Sequence, residues 1–447
     1  MPHRRYRFLT LLPVLLLASR ADATTRRVPS QFPTIQAGID ASAFGDTVLV
    51  APGTYTGSGN RDIEFRGQDI VLRSEAGAAA TVLNAGGGNP PANYRVFWLH
   101  LGETSATRID GFTITGGRAY VDRFGGGILC DPASPTIANC IISQNWAGQG
   151  TPYKQSDGQF ACGAGGALYI SATPTPMMIT GCVIRENGAE CASSAVQISN
   201  ATVAFERCEI VQNRDYSIFL GNRANCSFTE CTIAHTAGFD GMGQGVHVGL
   251  ADTVDVDRCV IWGNCAGIEL NATAVVRVTC SVIDSSSVFG AEQIEYVGTN
   301  IFADPMFCDP RGCPLPPLGD IGDYRVHSAS PCLPENNPCG VLIGALGLCA
   351  ATSVLPGFDA PGTAIWASPN PFSTSTSLSL GSALDRDATL SVFDVAGRRV
   401  REFRMTRAAA PVTWDGTDEN GQNVAAGTYL LRLEGRQSIA GRVTIVR

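Results

Sequence analysis

The chain has 447 residues and a formal net charge of −8 at pH 7; 44% of its residues are hydrophobic and 16% are charged. A net acidic chain is a poor partner for nucleic acid or anionic lipid, so neither is expected as a ligand. The length exceeds what one compact domain usually holds, and the 50 glycines favour a repeating architecture.

Residues 1–23 have the order of features typical of a secretory signal peptide. The basic "MPHRRYR" is followed by the apolar "FLTLLPVLLLA" and then by "ADA", which ends at Ala23. This apolar run, like "VLIGALGLCAA" from Val341, is shorter than the roughly 20 residues that cross a bilayer. We therefore expect cleavage after Ala23, no transmembrane segment, and a secreted or outer-surface location.

A cysteine followed two residues later by an aliphatic residue recurs through the middle of the chain. The spacings between successive cysteines are 42, 26, 23, 28 and 21 residues, a period typical of a solenoid with insertions. Each unit contains three short runs of alternating apolar and polar residues, which predict three β-strands per coil. The predicted cysteine column contains Phe112, Cys140, Cys182, Cys208, Cys231, Cys259 and Cys280.

A second column is polar and follows the third strand of each coil. Asparagine suits such a turn because it tolerates left-handed backbone and can hydrogen-bond main-chain groups. The column contains Asn145, Asn187, Asn213 and Asn264.

These units, together with "FPTIQAGIDASAFGDTVLVAPGTY" from Phe32, resemble the right-handed parallel β-helix proteins of the pectin-lyase-like superfamily. The resemblance covers about residues 28–349 and implies an all-β, single-stranded right-handed parallel β-helix. A short amphipathic helix within about residues 30–45 would cap its open first coil. This fold hosts lyases, hydrolases, esterases, adhesins and non-catalytic surface proteins, so it implies no single activity.

All 16 cysteines lie between Cys130 and Cys349. The proline-rich segment at about 301–349 carries five of them, which predicts disulfides that close the C-terminal end of the solenoid. In the column, buried thiols acting as small hydrophobes are the preferred interpretation, and disulfides between neighbouring coils are the alternative. A zinc site is not expected, because stacked thiols lack paired ligand spacing.

A composition change marks a linker at residues 350–365 and a second domain at 366–447. Its short runs separated by Gly and Asn or Asp turns predict a small β-sandwich. "PNPF" and the pattern "WDGxDxxGxxVxxGxY" from Trp414 to Tyr429 resemble the Ig-like domain of flagellar hook-capping proteins and the sorting domains of type IX secretion. The resemblance implies a bacterial source and bacterial export machinery as a partner; a structural stalk is the alternative.

The outward residues of the first strand in each coil are the candidate ligand-binding face. Neighbours in such a column lie about 4.8 Å apart, which suits an extended sugar chain. The predicted column contains Glu64, His100, Leu129, Tyr169, Gln197, Phe219, His247 and Glu269. With residues of the adjoining loops, the predicted binding residues are Trp146, Tyr153, Tyr169, Gln197, Phe219 and Asp240.

His247 and Glu269 on neighbouring coils are the candidate catalytic pair, with the carboxylate orienting the imidazole as a base. Hydrolysis would need two carboxyls, for which Glu269 and Glu295 are candidates. The "DD", "GHG" and "RIK" strings of polygalacturonases are missing. We therefore expect binding of polysaccharide or another extended surface ligand. A lyase or hydrolase acting on acidic glycans is one alternative, and a structural or adhesive protein is the other.

No metal site and no definite cofactor are expected. The string "DGTDENG" from Asp415 contains oxygen ligands that Ca²⁺ favours, but lacks the twelve-residue loop with a closing glutamate. A hairpin turn is the preferred interpretation, and Ca²⁺ is the alternative.

Overall fold

The structure, a computed structural model, describes most of the chain from residue 23 to residue 445. It leaves out residues 1–22, 88–92, 121–122, 149–152, 155–159, 162, 190–193, 215, 237–243, 250–252, 265, 271–273, 291–293, 312–318, 350–364, 369–371, 373, 381–387, 395–397, 406–411, 435–438 and 446–447. The predicted signal peptide except Ala23, the predicted linker except Ile365, and Asp240 therefore lie outside the described residues.

The chain divides into two compact units, with the boundary between Cys349 and Ala350. Among the helices described, none has the length and apolar character needed to cross a membrane.

The first unit is a parallel β-helix, which confirms the predicted fold class. Most coils add one strand to each of three long parallel sheets, here called the first-, second- and third-strand sheets after their order within a coil; they contain eight, eleven and nine described strands. Because side chains alternate along a strand, one side of each sheet faces the common core and the other faces outward.

The strands of the first-strand sheet are Phe97–Leu99, Ile128–Cys130, Leu168–Ser171, Ser194–Ser199, Tyr216–Leu220, Gln244–Val248, Ala266–Leu270 and Val288–Phe289. Those of the second-strand sheet are Thr25–Val28, Thr47–Val50, Val71–Ser74, Arg108–Asp110, Thr136–Ala138, Met177–Thr180, Thr202–Glu206, Asn225–Thr229, Thr253–Asp257, Val275–Thr279 and Ile294–Val297. Those of the third-strand sheet are Gly53–Tyr55, Thr81–Asn84, Thr113–Thr115, Ile141–Ser143, Val183–Arg185, Glu209–Val211, Thr232–Ala234, Val260–Trp262 and Val282–Ile283.

Smaller elements surround these sheets. A three-stranded parallel sheet lies at the corner after the third strand and contains Arg118–Ala119, Trp146–Ala147 and Gly188–Ala189. Two antiparallel pairs are Tyr153–Lys154 with Phe160–Ala161, and Phe307–Asp309 with Asp323–Val326. Among the residues that the structure describes, 3-10 helices span Ser285–Ser287 and Pro334–Asn336.

The helix Ile35–Asp40 caps the first coil, as the sequence predicts. Thr34 begins it, because its hydroxyl accepts a hydrogen bond from the Ala37 N–H at 3.2 Å. Ile35 and Ile39 are fully buried in the solenoid core. The helix therefore covers apolar side chains that the first coil would otherwise expose.

The cysteine column is a buried core column over most of its predicted length. The thiols act as weak hydrogen-bond groups: Cys259 Sγ donates to the Phe228 carbonyl at 3.3 Å and accepts from the Cys231 N–H at 3.3 Å. The cysteines described as buried free thiols are Cys130, Cys140, Cys182, Cys208, Cys226, Cys231, Cys259 and Cys332.

The prediction that Cys280 ends this column is wrong by one residue. Val260 pairs with Val282, which places Ser281 beside Cys259, and the Ser281 hydroxyl accepts from the Cys259 N–H at 3.0 Å. Cys280 instead occupies the preceding turn position and forms a disulfide with Cys339.

The asparagine column forms a buried ladder, but the left-handed residue is the one before each asparagine, contrary to the prediction. Gln144, Glu186 and Gln212 have φ values of 58°, 55° and 53°. Asn145 Nδ2 donates to Asn187 Oδ1 at 3.1 Å, and Asn187 Nδ2 donates to Asn213 Oδ1 at 3.2 Å.

The cysteine-rich segment packs along the side of the solenoid, rather than only at its end. Phe307, Tyr324 and Ile343 form a second apolar cluster with outward residues of the third-strand sheet, including Val211 and Val260. The contact extends further back along the sheet, where Gln212 Nε2 donates to the Asp320 carbonyl at 2.9 Å. Among its described cysteines, Cys308 and Cys349 form a disulfide within the segment, and Cys280–Cys339 joins the segment to the last coil. This segment therefore covers part of the outer face of the third-strand sheet.

The second unit is a small antiparallel β-sandwich, as predicted. One sheet contains Ile365–Ser368, Thr376–Leu380 and Val412–Trp414. The other contains Ala388–Phe393, Arg399–Met405, Gly427–Glu434 and Ile439–Ile445. Trp414 is fully buried between Phe372 and Tyr429, with ring centroids 5.6 and 5.3 Å away.

Candidate functional site

The outward column of the first-strand sheet is continuous and in register over eight coils. Its members, from the N-terminal side, are Trp98, Leu129, Tyr169, Gln197, Phe219, His247, Glu269 and Phe289. The bridge between Ile63 and Phe97 places Glu64 beside Trp98, as predicted.

The prediction that His100 belongs to this column is wrong. Leu129 pairs with Trp98, two residues earlier in the chain. The His100 ring instead stacks on Trp98, with ring centroids 4.1 Å apart and planes at 20°. The two rings together form an aromatic pair at the N-terminal end of the column.

Tyr169 is half-buried in the middle of the column. Its ring lies 4.6 Å from that of Phe124. Burial, with a smaller contribution from the Asp131 carboxylate, raises the pKa of the Tyr169 hydroxyl. The phenol is therefore a neutral donor or acceptor at physiological pH, suited to hydrogen-bonding a ligand hydroxyl.

Phe219 and His247 form the most regular aromatic stack of the column. Their ring centroids are 4.6 Å apart and their planes differ by 9°. Tyr216, on the same strand as Phe219, brings a third ring within 5.5 Å of His247. Gln197 pairs with Phe219 on the preceding strand. Three of the predicted binding or catalytic residues therefore lie side by side on consecutive strands.

His247 and Glu269 are in contact, as the sequence predicts. His247 Nδ1 lies 3.1 Å from Glu269 Oε2, and their side chains are 14% and 38% exposed. When Nδ1 carries the proton, the carboxylate fixes the ring and leaves Nε2 as the basic nitrogen. This arrangement can accept a proton from a ligand hydroxyl or carbon acid.

Glu295 does not join this pair. It pairs with Arg277 in the second-strand sheet, and its carboxylate accepts from Arg277 Nε at 2.9 Å. The neighbours of Glu269 in its own column are His247 and Phe289, neither of which is a carboxylic acid. The two-carboxylate arrangement for glycoside hydrolysis is therefore not formed by Glu269 and Glu295.

Trp146 lies away from the first-strand face, at the corner that follows the asparagine ladder. Its backbone pairs with Arg118 and Gly188, and it lines a cleft of about 510 Å³ together with Arg118 and Arg214. The sequence analysis missed both arginines. Arg214 directly follows Asn213, and Arg118 directly follows Gly117, which holds the equivalent position in an earlier coil. This shared position could have identified them.

Two other predicted binding residues are not brought to the column by the described structure. Tyr153 lies in the antiparallel pair with Phe160–Ala161, where its backbone pairs with Ala161. Asp240 lies outside the described residues.

The two aspartates of the predicted Ca²⁺ alternative, Asp415 and Asp418, accept hydrogen bonds within their own turn. Asp415 Oδ1 accepts from the Thr417 hydroxyl at 2.6 Å, and this hydrogen bond lowers the pKa of the Asp415 carboxyl. Asp418 Oδ1 accepts from the N–H groups of Asn420 and Gln422 at 2.9 and 2.8 Å. These bonds are typical of a hairpin turn.

One group of potential metal ligands occurs among the described residues: Cys308, His327 and Cys349. The two cysteines form a disulfide with each other, so neither offers a thiolate.

Two family models match the chain. Residues 99–283 match the family described as "Right handed beta helix region", and residues 370–438 match the "FlgD Ig-like domain". The first match confirms the right-handed β-helix and the second confirms the Ig-like domain. No curated protein matches the sequence.

Several solved structures match the chain, each with low sequence identity and a low TM-score. Tailspike protein 2 of an Escherichia coli O157:H7 bacteriophage is 10% identical with a TM-score of 0.29, over 95% of this chain and 68% of that one. ORF18 of Geobacillus virus E2 is 14% identical with a TM-score of 0.29, over 62% of this chain and 60% of that one. PorZ, described as a bacterial surface component of the type-IX secretion system of Porphyromonas gingivalis, is 20% identical with a TM-score of 0.16. That match spans 19% of this chain and 11% of PorZ.

Proposed function

Because the chain joins a right-handed β-helix region to an FlgD Ig-like domain, we propose that it is a secreted or cell-surface protein whose solenoid binds an extended polysaccharide. The single observation that carries this proposal is the outward column of the first-strand sheet. Trp98, Tyr169 and Phe219 lie in it in register, with polar side chains between or beside them.

An aromatic ring can pack against the apolar face of a sugar, and the polar neighbours can hydrogen-bond its hydroxyls. The strand spacing of about 4.8 Å repeats these contacts along one line. The side chains of the column from Trp98 to Glu269 are partly exposed, whereas the third-strand sheet is partly covered by the cysteine-rich segment. The first-strand face is therefore better suited than the third to bind a long chain.

The test is binding of the full-length protein to a panel of neutral and acidic polysaccharides, measured by calorimetry. We expect Phe219→Ala to weaken binding about tenfold, because a large aromatic contact is lost. Phe44→Ala is the matched control, since Phe44 is 74% exposed and lies outside the column. Equal affinity of wild type and Phe219→Ala for every bound glycan would contradict this location, and binding to none would favour the structural or adhesive alternative.

The His247–Glu269 hydrogen bond favours a second candidate function, a polysaccharide lyase or hydrolase that uses His247 as a base. Reducing ends and unsaturated products, measured on the same glycan panel, decide between the two functions. The binding function predicts no turnover by the wild type. Turnover that is lost in both His247→Ala and Glu269→Gln would establish the enzyme instead.

The proposed location has its own test. The first described strand begins at Thr25, two residues after the predicted cleavage site. N-terminal sequencing of protein recovered from the bacterial surface or medium should therefore begin at Thr24. An N-terminus at Met1 in that material would contradict export by a cleaved signal peptide.

A further inference from the structure

The residues that follow the asparagine turns form an outward column of their own. Trp146 pairs in parallel with Arg118 on one side and Gly188 on the other. Arg214 continues the column: its N–H donates to the Asn187 carbonyl at 2.8 Å, as the Gly188 N–H donates to the Asn145 carbonyl at 3.2 Å. Arg118 and Arg214 are thus three coils apart, roughly 14 Å along the solenoid.

Glycines give this column its concave shape. A Cβ on Gly188 would lie 2.6 Å from Trp146 Cζ3, and a Cβ on Gly87 would lie 2.3 Å from Arg118 Cγ. The indole and the arginine stem therefore occupy space that only glycine leaves open. The result is the cleft of about 510 Å³ that contains both arginines and the tryptophan.

The charge of the cleft is positive. Arg118 Nη1 donates to the carbonyls of Gly117 at 3.0 Å and Gln144 at 2.8 Å, and no described carboxylate pairs with this guanidinium. Glu186 also lines the cleft, but one carboxylate oxygen accepts from Gln144 Nε2 at 3.1 Å and the other accepts from the Gly319 N–H. The Glu186 carboxylate is therefore held by partners within the protein, while Arg118 keeps donors for a ligand.

We infer that this cleft binds an acidic oligosaccharide, with carboxylates or sulfates of separate sugars held by Arg118 and Arg214 and a sugar ring between them packed on Trp146. A guanidinium binds either anion through paired N–H groups, and an indole provides a flat apolar surface beside it. The inference rests on the proposed function in that the ligand is a polysaccharide. The residues of the cleft are distinct from those of the first-strand column, so experiments can contradict the inference about the cleft without contradicting the proposed function of the column.

The experiment titrates full-length protein with a galacturonate oligomer, a sulfated galactose oligomer and a neutral galactose oligomer, all of one length. We expect either acidic oligomer to bind, with affinity falling as salt rises, and the neutral one to bind at least tenfold more weakly. Arg118→Ala and Arg214→Ala should each lower the affinity for the acidic oligomer about tenfold or more. Arg73→Ala is the control, because Arg73 is exposed on the second-strand sheet.

Arg118→Lys keeps the positive charge and is a second variant in case Arg118→Ala does not fold. In the same titration, Arg118→Lys should retain more affinity than Arg118→Ala. Unchanged affinity in Arg118→Ala and Arg214→Ala would overturn the inference, as would equal binding of the neutral oligomer. Acidic-sugar binding that is lost in Phe219→Ala but kept in both arginine variants would also overturn it, while supporting the first-strand face.

Discussion

Asn187 shows how one side chain joins three successive coils, because it bonds to Asn145 on one side and to Asn213 on the other. Its Nδ2 donates to the carbonyls of Ile142 and Arg185, both at 2.8 Å, and its Oδ1 accepts from the Asn145 N–H at 3.1 Å. These main-chain groups lie at the end of the third strand and at the turn that follows it. The amide group therefore satisfies hydrogen-bonding groups that would otherwise be costly to bury.

Replacing Asn187 with alanine should lower the free energy of unfolding of the first unit by about 3 kcal/mol, because several buried polar groups lose their partners. Denaturant unfolding followed by circular dichroism measures this change. Asn225→Ala is the matched control, since Asn225 is exposed on a strand, and its effect should stay within about 0.5 kcal/mol. A similar small effect in both variants would show that the ladder contributes little to stability.

The cysteine-rich segment packs over an acidic side chain, that of Glu209, in a setting that disfavours its charged form. Glu209, on the outer side of the third-strand sheet, lies beneath this segment, and burial together with the Asp323 charge raises its pKa to about 7, although Arg185 opposes the shift. The ordinary value is 4.5. The folded state therefore binds the Glu209 proton more tightly than the unfolded state does. Protonation of Glu209 favours folding at low pH, and this contribution to the free energy of unfolding is lost as the pH rises from about 4.5 through 7.

We therefore expect Glu209→Gln to be more stable than the wild type at pH 8, by about 2 to 3 kcal/mol, and nearly equal to it at pH 4. Unfolding midpoints at the two pH values test this. Glu75→Gln serves as the control, because Glu75 forms an exposed ion pair with Arg27 at 3.1 Å and should change little at either pH. A loss of stability at pH 8 would mean that the Glu209 charge helps the segment to dock.

Alternation within strands made the fold and much of the first-strand column predictable. The alternation gave wrong predictions where the apolar residues fit two strand registers equally well. "FWLHL" is apolar at residues 97, 99 and 101, so the pattern could not choose between Trp98 and His100. At the last coil either Cys280 or Ser281 could fill the column, and a shift of one residue reverses which side chains face inward.

No pattern in the sequence predicts where the cysteine-rich segment packs. Its position depends on contacts between residues far apart in the chain, such as Gly319 with Glu186, 133 residues apart. The arginine cleft was missed for a related reason: Arg118, Trp146 and Arg214 come together only when the coils stack.

The two units have separate hydrophobic cores with no residue in common. Trp414 is fully buried in the second core, where its Nε1 donates to the Thr417 carbonyl at 2.8 Å. The "WDG" motif thus anchors the sandwich and its following turn. Stability of the second unit should accordingly be separable from that of the solenoid.

Trp414→Ala should destabilise the second unit by about 3 to 5 kcal/mol through loss of a large buried side chain. In scanning calorimetry one transition should shift to lower temperature while the solenoid transition stays in place. Glycan binding by the solenoid, where present, should be retained. Parallel shifts of all transitions would instead show that the two units unfold cooperatively.

The coil architecture also has a mechanical consequence. The main-chain hydrogen bonds of the three long sheets join each coil to the next, so they run along the solenoid axis. Tension applied along that axis would load these bonds lengthwise and in series, and the weakest junction would open first. The cysteine-rich segment contacts several successive coils on one side, from Glu186 to the disulfide at Cys280. These contacts cross-link the coils and would resist such stretching.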